Sequence, residues 1–392
     1  PAAAQTSMAP RSPAISRRLP DVVVVGAGAF GGWTALELRE RGARVTLVDA
    51  YGPGNSRASS GGESRNLRSA YGDRDLYTRW AEAGWLLWKK REEEFGRQLV
   101  FPSGSFSFLT PQARAIQQTV FDRLKVPYEV LQTDEARRRW TQVNFADEEI
   151  AFYEPRSGVV KANASMVAVA EAFARKGGEI RLGKAELGAG AGGRLQNILV
   201  NGERLDAGAF VFAAGPWLPK LLPQLLGEKI VTPRVELFFL GSAAGDPRYR
   251  WDRLPNITEG GGAYTSSDIG SGLKVRLIQP ARLMDPDLGD RFPTHALEQD
   301  AYAYARRRMP GLVGQPVTAT FVCQVEYTDN NHFLIDQHPD YANAILAGGG
   351  SGHAFKMGPV LGEKLADRVT GAPVAAEEHA LFALAAHGKA SG

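Results

Sequence analysis

The chain has 392 residues, of which 44% are hydrophobic and 23% charged, with a formal net charge of +3. This length can bury a sizeable core and predicts two or three domains, and the composition is that of a globular protein. No apolar run approaches the roughly 20 residues that a membrane-spanning helix needs. The basic triplets Arg137–Arg139 and Arg306–Arg308 fall on predicted helices and indicate solvated faces. We therefore expect neither a membrane nor a nucleic-acid partner.

Cysteine and histidine usage restricts the chemistry further. The single cysteine, Cys323, excludes an internal disulfide and suits a reducing compartment, so we expect a cytoplasmic protein. The six histidines show no zinc-binding spacing, and we expect no metal. Residues Pro1–Pro20 are rich in Ala, Pro and Ser and are expected to be disordered. Export is the alternative if they are the stub of a removed signal peptide.

Residues 22–49 have the order of a dinucleotide-binding unit. A β-branched strand, Val22–Val25, precedes a G-x-G-x-x-G turn, a helix, a second strand and an acid. In the turn, Gly26 permits a tight bend, Gly28 lets backbone approach a diphosphate, and Gly31 lets the helix pack closely on the strand. Asp49 can accept hydrogen bonds from ribose hydroxyls. The unit predicts a bound adenine dinucleotide but does not separate FAD from NAD.

The rest of the chain divides into two kinds of sequence. Helix and strand patterns continue through residues 73–213 and return in a last strand at Ala344–Leu346, a Gly-rich loop and a helix from about His353 to Val369. Between Val231 and Cys323, alternating segments predict a mostly antiparallel sheet with one helix near Leu297–Arg308. Because nucleotide-binding sequence lies on both sides of them, these segments must form an inserted second domain.

Several motifs in order resemble one family. They are GAGAFG (26–31), SSGGESRNLRSAYG (59–72), AAGPW (213–217), SGLK (271–274), Cys323 followed by HFLID (332–336), and GGGSGHAFK (348–356). Over residues 21–372 the chain resembles the monomeric sarcosine oxidase branch of the D-amino-acid-oxidase-like flavoproteins, which includes N-methyltryptophan, pipecolate and fructosyl-amino-acid oxidases. The resemblance implies FAD rather than NAD.

The resemblance also implies an α/β fold with an α+β second domain. A Rossmann-like FAD-binding domain would comprise residues 21–98, 156–228 and 330–392. The substrate domain, built on a mostly antiparallel sheet, would comprise residues 99–155 and 229–329.

Carried over residue by residue, the resemblance implies a cofactor site. Cys323 would bond covalently to the flavin 8α-methyl carbon; the alternative is a buried cysteine acting as a small apolar residue. The Gly-rich loop and the helix after it would stabilise negative charge on the flavin. The other cofactor-binding residues implied are Gly26, Gly28, Gly31, Asp49, Ser59, Ser60, Arg65, Ala214, Gly215, Trp217, Gly349, Gly350, Gly352, His353 and Lys356.

The same resemblance implies the residues of the reaction. Lys274 would stabilise the negative charge that dioxygen gains, unless it is an ordinary strand lysine facing water. Arg68 and Lys356 would hold a substrate carboxylate. The alternative for Arg68 is an ordinary salt bridge, and the alternative for Lys356 is a solvated position on the last helix. His353 is either a general base or, as we favour, a polar wall residue, and Tyr264 is a weaker candidate for the pocket wall.

Together these residues predict an FAD-dependent oxidase of a secondary amine or an N-substituted amino acid. Hydride would leave the carbon next to nitrogen for flavin N5, the imine would hydrolyse, and dioxygen would become hydrogen peroxide. A dehydrogenase with another electron acceptor is the main alternative. An NAD-linked reductase is a further alternative, which the motifs at 59–68 and 348–356 disfavour. A non-catalytic flavoprotein is another, which the presence of Arg68, Lys274 and Lys356 disfavours.

Overall fold

The computed structural model describes residues 19–260, 263–279 and 282–390. The predicted disordered N-terminal segment lies outside them, apart from its last two residues. The described helices are α1 Gly31–Glu40, α2 Asp75–Phe95, α3 Pro111–Leu124, α4 Thr133–Arg139, α5 Ala162–Arg175, α6 Leu218–Leu221, α7 Pro223–Leu226, α8 His295–Arg308, α9 Gly358–Thr370 and α10 Ala376–Phe382. None of these helices is both long enough and apolar enough to cross a membrane.

The strands belong to five sheets. They are β1 Val22–Val25, β2 Val45–Asp49, β3 Ser64–Leu67, β4 Val100–Phe101, β5 Ser105–Phe108, β6 Glu129–Leu131, β7 Ala151–Glu154, β8 Gly158–Lys161, β9 Glu179–Leu182, β10 Ala185–Leu187, β11 Gly190–Ala191, β12 Arg194–Leu195, β13 Asn197–Val200, β14 Glu203–Asp206, β15 Ala209–Phe212, β16 Arg234–Leu240, β17 Asn256–Thr258, β18 Tyr264–Ser266, β19 Leu273–Arg276, β20 Val317–Gln324, β21 Leu334–His338 and β22 Tyr341–Gly348.

The central sheet has six strands in the order β21-β22-β15-β1-β2-β9. All neighbours are parallel except β21 and β22. The strand β1 is buried throughout, because its four valines face helices or other strands on both sides of the sheet. Helices α1, α2, α5 and α9 pack together over one face, around a core that includes Trp33, Tyr77 and Trp88.

The second large sheet has eight strands in the order β20-β16-β19-β18-β17-β5-β7-β6. Its pairs are antiparallel apart from β17 with β5. Helix α8 packs against this sheet, around a separate core that includes Phe106, Leu273 and Tyr304. The predicted fold class, a nucleotide-binding α/β unit with a mostly antiparallel second sheet, is therefore confirmed, whereas the exact domain boundaries stay a prediction.

A small sheet, β3-β8-β4, lies between the two large ones. Its strand β3 carries the SRNL segment, and Asn66 there donates from Nδ2 to the carbonyl oxygen of Thr265 on β18 at 3.1 Å. Ser266 also donates to Asn66. These contacts fix β3 against the second sheet, so the residues on either side of it lie between the two cores.

Two expectations about local structure are wrong. The last long helix does not begin at His353, because the glycine-rich segment continues through turns and a short 3₁₀ helix, and α9 begins only at Gly358. Within residues 73–213, the alternation of Phe101–Leu109 predicts one strand, but the structure has two, β4 and β5, separated at Gly104, whose φ of 74° favours glycine.

Candidate active site

Two cavities open at the carboxyl ends of the parallel strands of the central sheet. Both contact Ala213, the residue after β15. The loops that follow β1, β2, β15 and β22 supply much of their walls. Because ligands of open α/β sheets bind at this edge, beside the point where strand order reverses, the cavities are the candidate cofactor and substrate site.

The smaller cavity, of about 340 Å³, is lined by the glycine turn and by Asp49. A Cβ on Gly26 would lie 2.2 Å from the Ala213 oxygen, and a Cβ on Gly31 would lie 1.9 Å from the Gly26 oxygen. Side chains at these positions would therefore break the turn, as the sequence predicts. Of the predicted cofactor residues, this cavity brings together Gly26, Gly28, Asp49, Ala214 and Trp217.

Asp49 is already held by the backbone. Its Oδ2 accepts a hydrogen bond from the N–H of Ala27 at 2.8 Å, and Oδ1 accepts from those of Tyr51 and Gly52 at 2.9 and 2.8 Å. The carboxylate thus ties the glycine turn to the end of β2 while it also contacts the cavity. Trp217 closes the opposite wall and donates to Asp287 from Nε1 at 2.7 Å.

The larger cavity, of about 440 Å³, lies between the central sheet, β3 and the second sheet. It brings together the predicted residues Ser59, Ser60, Arg65, Arg68, Gly215, Tyr264, Cys323, Gly350, Gly352, His353 and Lys356. Gly31, Gly349 and Lys274 contact neither described cavity wall. Residues separated by almost 300 positions in sequence therefore share one site.

Two cations lie together on one wall of this cavity. Lys356 is only 7% exposed, and its Nζ donates to the Tyr71 hydroxyl at 2.9 Å. The guanidinium carbon of Arg68 lies 5.5 Å from the centre of the same ring. Burial, and secondly the charge of Arg68, holds the pKa of Lys356 well below its usual value. Such a pair would gain from binding an anion, because a carboxylate supplies the missing counter-charge.

A buried acid holds the backbone that follows Arg68. Glu154, at the end of β7, accepts hydrogen bonds from the N–H groups of Ser69 and Ala70 at 2.7 and 3.1 Å. Burial raises the pKa of its carboxyl, against the opposing charge of Arg68. Sequence reasoning missed both Glu154 and Tyr71, although Tyr71 lies within the SSGGESRNLRSAYG motif.

His353 ends a chain of hydrogen bonds that begins at Lys356. Its Nε2 lies 3.0 Å from the carbonyl oxygen of Asn331, which can only accept, so Nε2 carries the proton. Nδ1 therefore accepts from the Tyr71 hydroxyl, at 3.3 Å. Burial, and then the charge of Lys356, lowers the pKa of His353 to about 3. A neutral ring with both nitrogens bonded favours a wall role over a general base.

Arg65 and Lys274 hold the β3 segment. Arg65 donates to the carbonyl oxygens of Ser64 at 2.7 Å, Ser59 at 2.5 Å and Gly61 at 2.8 Å. The Nζ of Lys274, on β19, donates to the carbonyl and hydroxyl oxygens of Ser64 at 2.8 and 2.9 Å. Burial, and then the charge of Arg65, lowers the pKa of Lys274 to about 7. Lys274 is thus one of the most buried cations of the chain, at 1% exposed.

Cys323 and Tyr264 lie on the cavity wall that the second sheet provides. The Cys323 thiol is buried near the end of β20, and burial raises its pKa. Tyr264 begins β18, and its ring centre lies 5.9 Å from Lys274 Nζ. The predicted attachment residue thus contacts the larger cavity, and no other cysteine exists in the chain.

Glu326, three residues after Cys323, is a further cavity residue that sequence reasoning missed. It is 5% exposed, and its Oε1 accepts from the N–H of Gly350 at 3.1 Å. The signal available in sequence was an acid close to Cys323, which by itself does not predict burial. Among the described residues, no group of three or more His, Cys, Asp or Glu side chains is arranged to hold a metal ion.

The fold and the cavities define an α/β protein whose nucleotide-type site lies at the edge of its central sheet, beside a cavity lined by buried cations. FAD fits these features. The glycine turn leaves space that a Cβ would fill, and the buried cations of the larger cavity suit a ligand that carries negative charge. The sequence profile of the FAD dependent oxidoreductase (DAO) family matches residues 21–368, and the chain belongs to that family. The predicted resemblance and the predicted class, an FAD-dependent oxidoreductase, are confirmed.

Individual proteins agree with this assignment. The chain is 28% identical over 360 residues to monomeric sarcosine oxidase of Streptomyces avermitilis, covering 88% of this chain and 92% of that protein. It is 27% identical over 368 residues to human peroxisomal sarcosine oxidase, covering 90% and 92%. Among solved structures, the fructosyl peptide oxidase from E. terrenum matches with a TM-score of 0.81 at 20% identity, covering 95% of this chain and 93% of that one.

Proposed function

We propose that the protein is an FAD-dependent oxidase of an N-substituted amino acid or a related secondary amine. The substrate loses hydride from the carbon next to nitrogen, and the resulting imine hydrolyses to an amine and a carbonyl compound. The two electrons pass to dioxygen, which becomes hydrogen peroxide. Likeness to the two sarcosine oxidases supports the substrate class.

The observation that carries this proposal is the cationic wall formed by Arg68 and Lys356. Both contact the cavity that also contacts Cys323 and the Gly350 loop. A substrate carboxylate bound there is oriented by two cations, so the rest of the molecule points along the cavity in one direction. The proposed substrate therefore carries a carboxylate.

The same two cations prepare the amine. A positive charge close by lowers the pKa of a bound ammonium group, which favours the neutral amine whose lone pair must assist hydride loss. His353 does not take that proton, because Nε2 is a donor to Asn331 and Nδ1 accepts from Tyr71. Bound FAD supplies the hydride acceptor and passes the electrons on.

Two further assignments complete the proposal. Cys323 anchors the cofactor through a thioether, which prevents its loss. Lys274 supports the reaction with dioxygen. It holds a positive charge behind β3, away from water, and such a charge stabilises negative charge on dioxygen without reorganisation of solvent. The burial of Lys274 and its fixed bonds to Ser64 support this role.

A peroxide assay with matched compounds tests the proposal. Purified enzyme is supplied in air with N-methyl amino acids and with the corresponding N-methyl amines that lack the carboxylate. We expect peroxide from the amino acids, in amounts equal to the oxygen consumed, and much less from the amines. Turnover with an artificial acceptor but without peroxide would instead identify a dehydrogenase.

A further inference from the structure

The carboxyl group of Glu326 is only half satisfied. While Oε1 accepts a hydrogen bond from Gly350, Oε2 has no hydrogen-bond partner among the described residues. A buried carboxyl oxygen left without a partner is costly, so native proteins supply one. Because Glu326 contacts the larger cavity, the missing partner can come from what binds there.

The position of the free oxygen points to the cofactor. Oε2 lies 3.6 Å from where a Cβ on Gly215 would be and 3.5 Å from where a Cβ on Gly348 would be. These glycines follow β15 and end β22, so the oxygen sits between two loops at the carboxyl edge of the central sheet. On its other side, a Cβ on Gly350 would approach Oε1 to 3.1 Å. The carboxyl group thus lies close to three glycines, and Gly350 is the one at which a side chain would crowd it.

The surroundings bring the protonation equilibrium of this acid close to neutral pH. Burial raises the pKa of Glu326 to about 7, and among the described residues only the N–H groups of Gly350 and Gly349 oppose that shift. Other ionisable side chains contact the same cavity. They lie on β3 and the loop between β3 and α2, on β18 and β19, on β20 and the loop after it, and in the segment before α9: Arg65, Arg68, Tyr71, Arg74, Tyr264, Arg276, Cys323, Tyr327, His353 and Lys356. Glu326 is the only acid among the described residues of the cavity wall.

We infer that Glu326 is a cofactor-positioning residue that binds the polar edge of the flavin ring through Oε2 and changes its protonation state with the redox state of the FAD. As the two electrons of the substrate C–H bond enter the ring, the carboxylate takes one proton from solvent and becomes a hydrogen-bond donor. When the electrons leave to dioxygen, that proton accompanies them into hydrogen peroxide. The inference needs bound FAD but not the substrate proposed above.

The first test follows the oxidised cofactor without any substrate. The visible absorption spectrum of the purified holoenzyme is recorded from pH 5.5 to 8.5. We expect a shift of the flavin bands with a midpoint near neutral pH in the natural enzyme and its loss in Glu326→Gln, which keeps the shape but cannot titrate. Glu363→Gln is the matched control, because burial raises the pKa of Glu363 too, but that residue lies on α9 outside both described cavity walls.

The second test does not depend on the variant folding. Infrared difference spectra of the natural holoenzyme at pH 8, reduced photochemically, should gain the C=O band of a carboxylic acid on reduction. Absence of that band, or a visible pH transition that persists in Glu326→Gln, would overturn the inference. Neither result concerns the amine substrate, since failure of the proposed function would appear only as flavin that amines do not reduce.

Discussion

Removing the ammonium group of Lys356 is the sharpest perturbation of the substrate site. In Lys356→Met the side chain keeps nearly the same length. The hydrogen-bond donor to Tyr71 and half of the proposed carboxylate clamp are lost. The 7% exposure of Lys356 means that water does not replace it easily. The variant therefore tests the carboxylate role with little change of shape.

The expected size of the effect follows from buried charge-assisted hydrogen bonds. A hydrogen bond to a charged group contributes about 1.5–3 kcal/mol, and about 1.4 kcal/mol corresponds to a tenfold change in affinity. Arg68 remains in the variant and also contacts the cavity, so half of the proposed clamp is kept. We therefore expect the lower end, about tenfold weaker binding.

Equilibrium binding measures this without turnover. A small carboxylate that lacks an amine is titrated into oxidised enzyme, and Kd is read from the flavin spectrum. Lys364→Met is the control variant, because that lysine pairs with Glu378 and lies outside both described cavity walls. Binding by Lys356→Met within twofold of the natural enzyme would refute the clamp.

Three more variants extend the account. Lys274→Met should slow the reaction of reduced enzyme with dioxygen about 100- to 1000-fold, while reduction by the amine keeps its rate. Stopped-flow experiments measure both steps, and equal slowing of the two would contradict the role of Lys274. Cys323→Ala should release FAD into the supernatant on acid precipitation, whereas the natural enzyme keeps it in the pellet; yellow supernatant from both would remove the thioether. Gly31→Ala should lower the free energy of unfolding by about 1–3 kcal/mol or more, because its Cβ would lie 1.9 Å from the Gly26 oxygen. In thermal unfolding, Gly32→Ala is the control, since its nearest contact is 3.3 Å, and equal Tm values would contradict the packing argument.

The nucleotide-binding unit could be predicted because its information is local. The strand Val22–Val25, the glycine turn and Asp49 lie within one stretch of chain, and each residue type has one geometric purpose there. Helix α3 was predictable in principle, since Thr110 caps it by accepting from Ala113 N–H at 3.2 Å and a proline opens it. Its residues Val120, Phe121 and Leu124 also have the spacing of one helix face.

The rest of the site depends on contacts that sequence order hides. Arg68 and Lys356 are brought to one wall only by the pairing of the sheets, and the sequence suggested them through family resemblance rather than through pattern. The role of Glu326 depends on a contact between the segment after β20 and Gly350, which lies 24 residues later and donates to the Glu326 carboxyl group. The sequence does not indicate that contact. The helix expected at His353 begins five residues later, because glycines at positive φ, such as Gly352 at 73°, keep the loop in turns.

Anaerobic mixing of the yellow protein with one N-methyl amino acid, followed by admission of air, tests the central claim most directly. We predict that the flavin absorbance bleaches without oxygen, returns in air and yields one peroxide for each flavin reoxidised. Flavin that stays oxidised with every N-methyl amino acid, or that bleaches but returns only with an artificial acceptor, would contradict the account.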